Sequence, residues 1–103
     1  MEGKVKVIVK LPLEDIGHME EIPNTLRAFQ AEVGGYIETV SYHEGGKQIL
    51  VICNEEGLLR GLPFNCYIQG QPYVGPIVIC GTDGPEFADI PITLEQFKEF
   101  YLD

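Results

Sequence analysis

Three short runs rich in β-branched residues set the terms on which this chain can fold: KVKVIVK at 4–10, QILVIC at 48–53 and PIVIC at 76–80. Runs of this length bounded by turn signals form strands, and continuously apolar ones form strands covered on both faces. In the first run Val5, Val7 and Val9 share one face, while Lys4, Lys6, Lys10 and Ile8 share the other. That alternation predicts a half-buried strand. Pro12 ends it, and the polar connector that follows is expected to return as a short strand near Met19–Ile22. Tyr36–Tyr42 and Gln48–Cys53 flank Glu44-Gly45-Gly46-Lys47, which predicts a hairpin with a central second strand. Asp83-Gly84 marks a tight turn after the third run.

Two helices complete the pattern. Asn24 is a favoured N-cap, Leu26, Phe29 and Val33 recur at helical spacing, and Gly34-Gly35 stops the turn, predicting a helix over 25–33. Thr93 with Gln96 makes a capping box before Leu94, Phe97 and Tyr101. The segment NEEGLLRGLPFN reads as a compact turn or a short piece of helix. A chain of 103 residues has room for one core, so residues 1–103 are expected to form a single α+β domain. Its expected architecture is a small mixed or antiparallel sheet with two helices packed on one face, or else a bent sheet around one helix. VICNEEG (51–57) and VICGTDG (78–84) echo one another, as two strands ending in acidic glycine turns would.

Composition excludes several functions. Sixteen acidic residues against seven basic ones give a net charge of −9, which repels phosphate backbones and anionic membranes, so direct nucleic-acid or membrane binding is not expected. Apolar stretches are too short to span a bilayer, and three cysteines without a CxxC pair fit a reducing cytoplasm better than a disulfide scaffold. No metal or other cofactor is expected, since His18 and His43 lack neighbours at ligand spacing. No GxSxG, P-loop or GxGxxG is present.

What remains is two polar loops that follow buried strands. Parallel or mixed sheets place ligands beyond strand ends, so Asn54, Glu55, Glu56, Arg60 and Asn65 from one loop and Gly81, Thr82 and Asp83 from the other are expected to line one pocket, with Tyr36 or Tyr42 stacking on a base. Asn54 and Thr82 would donate hydrogen bonds and Arg60 would meet a phosphate or carboxylate. Ordinary turn chemistry explains the same residues equally simply.

The segments NTLRAFQAEVGGYIETV, LVICNEEGLLRGLPFN and GPIVICGTDGPEFADI, and above all the GGYIE and CNEEGxLxGLPxN blocks, resemble a family of small proteins from phages, conjugative elements and gut Firmicutes, catalogued as a domain of unknown function. The resemblance covers residues 22–103. It implies an accessory protein of a mobile element that counters host defence in the bacterial cytoplasm. Three functions follow as expectations. The first is a homo-oligomer that binds and sequesters a small nucleotide-like signal without catalysis. The second is an acidic decoy that mimics nucleic acid and occupies a host defence protein. The third is a small hydrolase using Glu55, Glu56 or Asp83 as base.

Overall fold

The computed structural model describes residues 3–103. Its elements in chain order are β1 (Lys4–Lys10), β2 (His18–Pro23), α1 (Leu26–Val33), β3 (Ile37–Glu44), β4 (Lys47–Asn54), β5 (Phe64–Ile68), β6 (Gln71–Val74), β7 (Ile77–Asp83), β8 (Glu86–Ala88) and α2 (Leu94–Phe100). The main sheet runs β2-β1-β7-β4-β3, with β8 added to the far half of β7, and β5–β6 form a separate hairpin. Every pairing is antiparallel, so the α+β class holds with the antiparallel form of the sheet.

The sheet is apolar on both faces, and this decides where the helices go. Alternate residues of the central strands feed two cores: Ile49, Val51, Ile77 and Ile79 on one side, Ile52, Val78 and Cys80 on the other. Phe29 and Val33 bring α1 onto the second core, and Phe97 and Tyr101 bring α2 onto the first. The helices therefore lie on opposite faces rather than together. Each fully buried aromatic or aliphatic side chain contributes about 1.5–3 kcal/mol by leaving water. A sheet with two greasy faces has to cover both.

Two-sided burial also revises β1. Val5, Val7 and Val9 face the α1 core as expected, and Lys4 and Lys6 are exposed. Ile8, however, is fully buried in the other core and Lys10 is only 2% exposed, because the β5–β6 hairpin covers that half of the face. That hairpin, which the strand pattern did not announce, turns at Gln69 (φ 46°) and Gly70 (φ 84°), the paired positive φ angles of a two-residue hairpin. Local signals succeed at the end of α1 and the start of α2, and miss the start of α1 by one residue. Gly34 closes α1 in the left-handed conformation, and the Thr93–Gln96 capping box is complete. The α1 N-cap is Thr25, whose Oγ1 accepts from Ala28 N at 3.1 Å, while Asn24 turns away to donate to the Phe87 carbonyl.

Candidate functional site

The two polar loops do not meet. β4 and β7 are antiparallel neighbours, Leu50 opposite Cys80 and Ile52 opposite Val78. Their carboxyl ends point in opposite directions, so the loop after Cys53 and the turn after Cys80 leave from opposite ends of the sheet. One pocket lined by Asn54 to Asn65 together with Gly81, Thr82 and Asp83 is not formed. The rule that gathers ligands beyond strand ends applies to parallel strands. Gly81 pairs with Ala88, Thr82 Oγ1 donates to the carbonyls of Gly84 (3.0 Å) and Glu86 (3.3 Å), and Asp83 caps an exposed two-residue turn.

Asn65 lies elsewhere again, in the wall of a groove of about 440 Å³ between β5, the β1–β2 connector and the end of α2. Its amide is fully engaged. Nδ2 donates to the Lys10 carbonyl (2.8 Å) and the Gly75 carbonyl (2.7 Å), while Oδ1 accepts from Lys10 Nζ at 2.8 Å. Lys10 Nζ also donates to the Glu14 carbonyl at 2.6 Å. No carboxylate lies within 4.0 Å of this ammonium among the described residues. The nearby acids are committed: Glu14 accepts from Leu11 N–H and faces His18, and Asp103 accepts from Gly70 N–H. Phe64 and Tyr67, each about half exposed, pack at 5.1 Å between ring centroids beside Lys98 on the same groove.

A second groove, of about 560 Å³, flanks the other edge of the hairpin. Glu38 and Val40 of β3, Cys53 of β4, Tyr73 of β6 and the Leu58–Leu59 turn form its walls. Leu58 and Leu59 are 82% and 90% exposed. Asn54 and Glu55 belong to this groove, whose lining is mostly apolar with two carboxylates and no lysine or arginine. It is poorly matched to a phosphate.

Among known families, residues 5–102 match the one described as Domain of unknown function (DUF3846). The chain belongs to the DUF3846 family. No curated protein and no solved structure shows a match to it. In this DUF3846 domain the GGYIE and CNEEGxLxGLPxN blocks build one joint between the end of α1 and the turn after β4. Asn54 Nδ2 donates to the Val33 carbonyl (3.1 Å) and its Oδ1 accepts from Glu56 N–H (2.8 Å). Arg60 Nη1 donates to the Gly34 carbonyl (3.0 Å) and Glu55 N–H to the Tyr36 carbonyl (2.9 Å). Gly35 leaves room for this joint, since a Cβ there would lie 2.9 Å from Asn54 Nδ2 and force the amide to shift. Arg60 thus caps a helix end, and Tyr36, Glu55 and Glu56 project their side chains into solvent.

Burial pushes the Cys53 thiol up to about 11 and the Cys80 thiol up to about 12, so both are protonated at neutral pH and lack nucleophilic character. Burial raises Cys66 as well, with Lys10 opposing. His18 corrects the sequence reading, because carboxylates do flank it: Glu14 Oε2 lies 2.7 Å from Nδ1 and Glu20 Oε2 2.5 Å from Nε2. Only imidazolium donates from both nitrogens, and these two hydrogen bonds, Glu20 first, raise its pKa. No cluster of three metal-ligating side chains exists among the described residues, and no described helix is long and apolar enough to cross a membrane.

Proposed function

We propose that this protein is a non-catalytic binding protein that sequesters a small nucleotide-like anion in the groove beside Lys10. Lys10 itself carries the reading. A cation that is almost wholly buried, hydrogen-bonded to a carbonyl and an amide and with no carboxylate within 4.0 Å among the described residues, is compensated only in part, by the longer-range charge of Glu14, and so carries a desolvation cost. A bound anion offsets that cost. Lys98 adds a second cation at the rim, and the Phe64–Tyr67 pair offers a face on which a base can stack, an interaction worth about 1–3 kcal/mol. Asp15, on the same groove, can accept from the amino edge of a base. Asn65 is then a positioning residue that holds Lys10, while the residues of the other loop keep structural roles.

Sequestration suits the setting that the resemblance implies: a phage or mobile-element accessory protein removing a host defence signal in the bacterial cytoplasm. The acidic decoy has less support. Acidic residues stand on both edge strands (Glu20, Glu21, Glu38, Glu44) and on both helices (Glu32, Glu95, Glu99), so no single face concentrates them. The hydrolase has least support, because each candidate base, Glu55, Glu56 or Asp83, stands exposed rather than enclosed.

Thermal melts against a panel of linear and cyclic nucleotides and inorganic phosphate test the reading. A ligand at about one hundred times its Kd stabilises by about 2.7 kcal/mol, which raises the Tm of a domain this size by roughly 10–20 °C. Lys98→Ala, on the exposed rim, is expected to weaken binding about tenfold without lowering the Tm of the free protein. Chromatography of denatured complex is expected to return the nucleotide intact. A panel without any shift rejects the proposal, and recovery of a hydrolysed product replaces it with catalysis.

A further inference from the structure

The sheet has two free edges, and they differ in how well they are guarded. Natural edges are blunted by proline, lysine, bulges or inward charges. β2 carries Glu20, Glu21 and a terminal Pro23, and its His18 is tied to two carboxylates. β3 is less guarded: it carries Glu38 and Glu44 but no proline, no lysine and no bulge, and its register with β4 is unbroken from Ile37 opposite Asn54 to Glu44 opposite Lys47. The hydrogen bond from Glu55 N–H to the Tyr36 carbonyl fixes which residues face inward. Antiparallel ladders alternate, so Glu38, Val40, Tyr42 and Glu44 bond to β4, while Ile37, Thr39, Ser41 and His43 turn their N–H and C=O groups outward. No backbone partner meets those outward groups among the described residues.

We infer that a second copy of this chain pairs with the outward edge of β3 across a two-fold axis through Val40, forming a continuous sheet. The strand is self-complementary in that register. Ile37 lies opposite the partner copy's position 43 and Thr39 opposite its position 41, so all four outward residues pair and about eight hydrogen bonds form. On the face that carries the grooves, Val40 meets its own copy in a non-hydrogen-bonded pair, where side chains come closest, and Glu38 faces position 42, a tyrosine. Centring the axis on Glu38 sets glutamate against glutamate, and centring it on Ser41 sets Glu38 against position 44, also a glutamate. Both alternatives also pair fewer outward residues. Repulsion between two chains of net charge −9 opposes association, so pairing strengthens as salt screens it.

The axis has a consequence for the second groove. Glu38 and Val40 are its wall on the β3 side, so the partner strand closes that flank and the two grooves open onto one channel across the dimer. The inference is independent of the Lys10 groove, which lies on the far side of the hairpin.

Light scattering across a concentration series at about physiological ionic strength tests the surface. The expected mass rises to twice the 11.5 kDa of the chain. Thr39→Pro removes an outward N–H without touching the β4 ladder and is expected to abolish the dimer, with circular dichroism and the melt checking that the fold survives. Val40→Cys is expected to cross-link to itself under mild oxidant, and neither the unmodified chain nor Glu38→Cys to do so. Monomer at every concentration overturns the proposal. So does a dimer that persists in Thr39→Pro while Val40→Cys fails to cross-link. A dimer abolished by Thr39→Pro but never cross-linked through Val40→Cys overturns the register.

Discussion

The turns after Cys53 and Cys80 start from the same letters, V-I-C-x-x-acid-G, and end in different physical states. After Cys53 comes Asn54, a buried amide that stitches the turn to the last carbonyls of α1. After Cys80 comes Gly81, a position with no room for a side chain, because the returning chain carries the Asp89 carbonyl across it. The acid and glycine that follow make a tethered, multi-turn joint in one case and an exposed two-residue hairpin in the other. The single residue after the shared triplet separates them. An amide can satisfy a buried helix end, whereas a glycine lets two backbones touch. Similar sequence reflects a similar need to leave a buried strand, and it carries no information on which way the strand runs.

The sharpest break comes at Gly81. The segment above it is pinned to β1, with Lys6 N–H donating to Asp89 Oδ1 (2.8 Å) and Ile90 N–H to the Lys6 carbonyl (2.9 Å), so it cannot retreat from an added methyl. Gly81→Ala is expected to cost about 3 kcal/mol, read as a lower midpoint in urea with unchanged slope. A loss below about 0.5 kcal/mol would show that the crossing is soft. Asn54→Ala comes next. It leaves the Val33 carbonyl and Glu56 N–H without their partner in a largely buried joint, for an expected loss of about 2 kcal/mol. Stability within error of the unchanged protein would mean that water replaces the amide at no cost. Arg60→Ala removes one exposed hydrogen bond to the same helix end and is expected to cost less than about 1 kcal/mol in the same measurement.

Features that act over a few residues were legible in the sequence. The β3–β4 hairpin follows from its glycine turn, the start of α2 from Thr93 and Gln96, and the end of α1 from Gly34. What stayed hidden depends on pairing across the chain. β1 was read correctly as a strand, but the burial of Ile8 and Lys10 comes from a hairpin more than fifty residues away (Lys10 and Asn65 are 55 apart). The helices were identified but assigned to one face, because local periodicity says that a helix has an apolar stripe and not which face of the sheet receives it. The site shows the same division. Polar loop residues were read as lining one pocket, yet the side chains of Asn54, Arg60 and Asn65 bond to backbone groups of α1, β1 and the β6–β7 turn, and strand direction scattered the loops to different ends. The residue with the least ordinary environment, Lys10, looked like one more solvent-facing lysine in an alternating strand. Asn65, whose neighbours Pro63 and Phe64 suggested only a loop, was the available hint that something polar was being held inside.

Thr82 supplies the smallest expected effect and separates turn chemistry from ligand chemistry. Its hydroxyl serves two carbonyls of an exposed turn, one of them at 3.3 Å, and water can replace both. Thr82→Ala is therefore expected to change stability by no more than about 0.5 kcal/mol, a Tm change of only a few degrees. The ligand-induced Tm shift is expected to be the same as in the unchanged protein, because the Lys10 groove draws nothing from β8 or the turn before it. Lys98→Ala provides the contrast, with little change in the free protein and about half of the ligand shift gone. If instead Thr82→Ala diminishes the shift and Lys98→Ala does not, the anion sits at the turn after Cys80. Lys10 would then be a buried cation held by its two neutral acceptors alone.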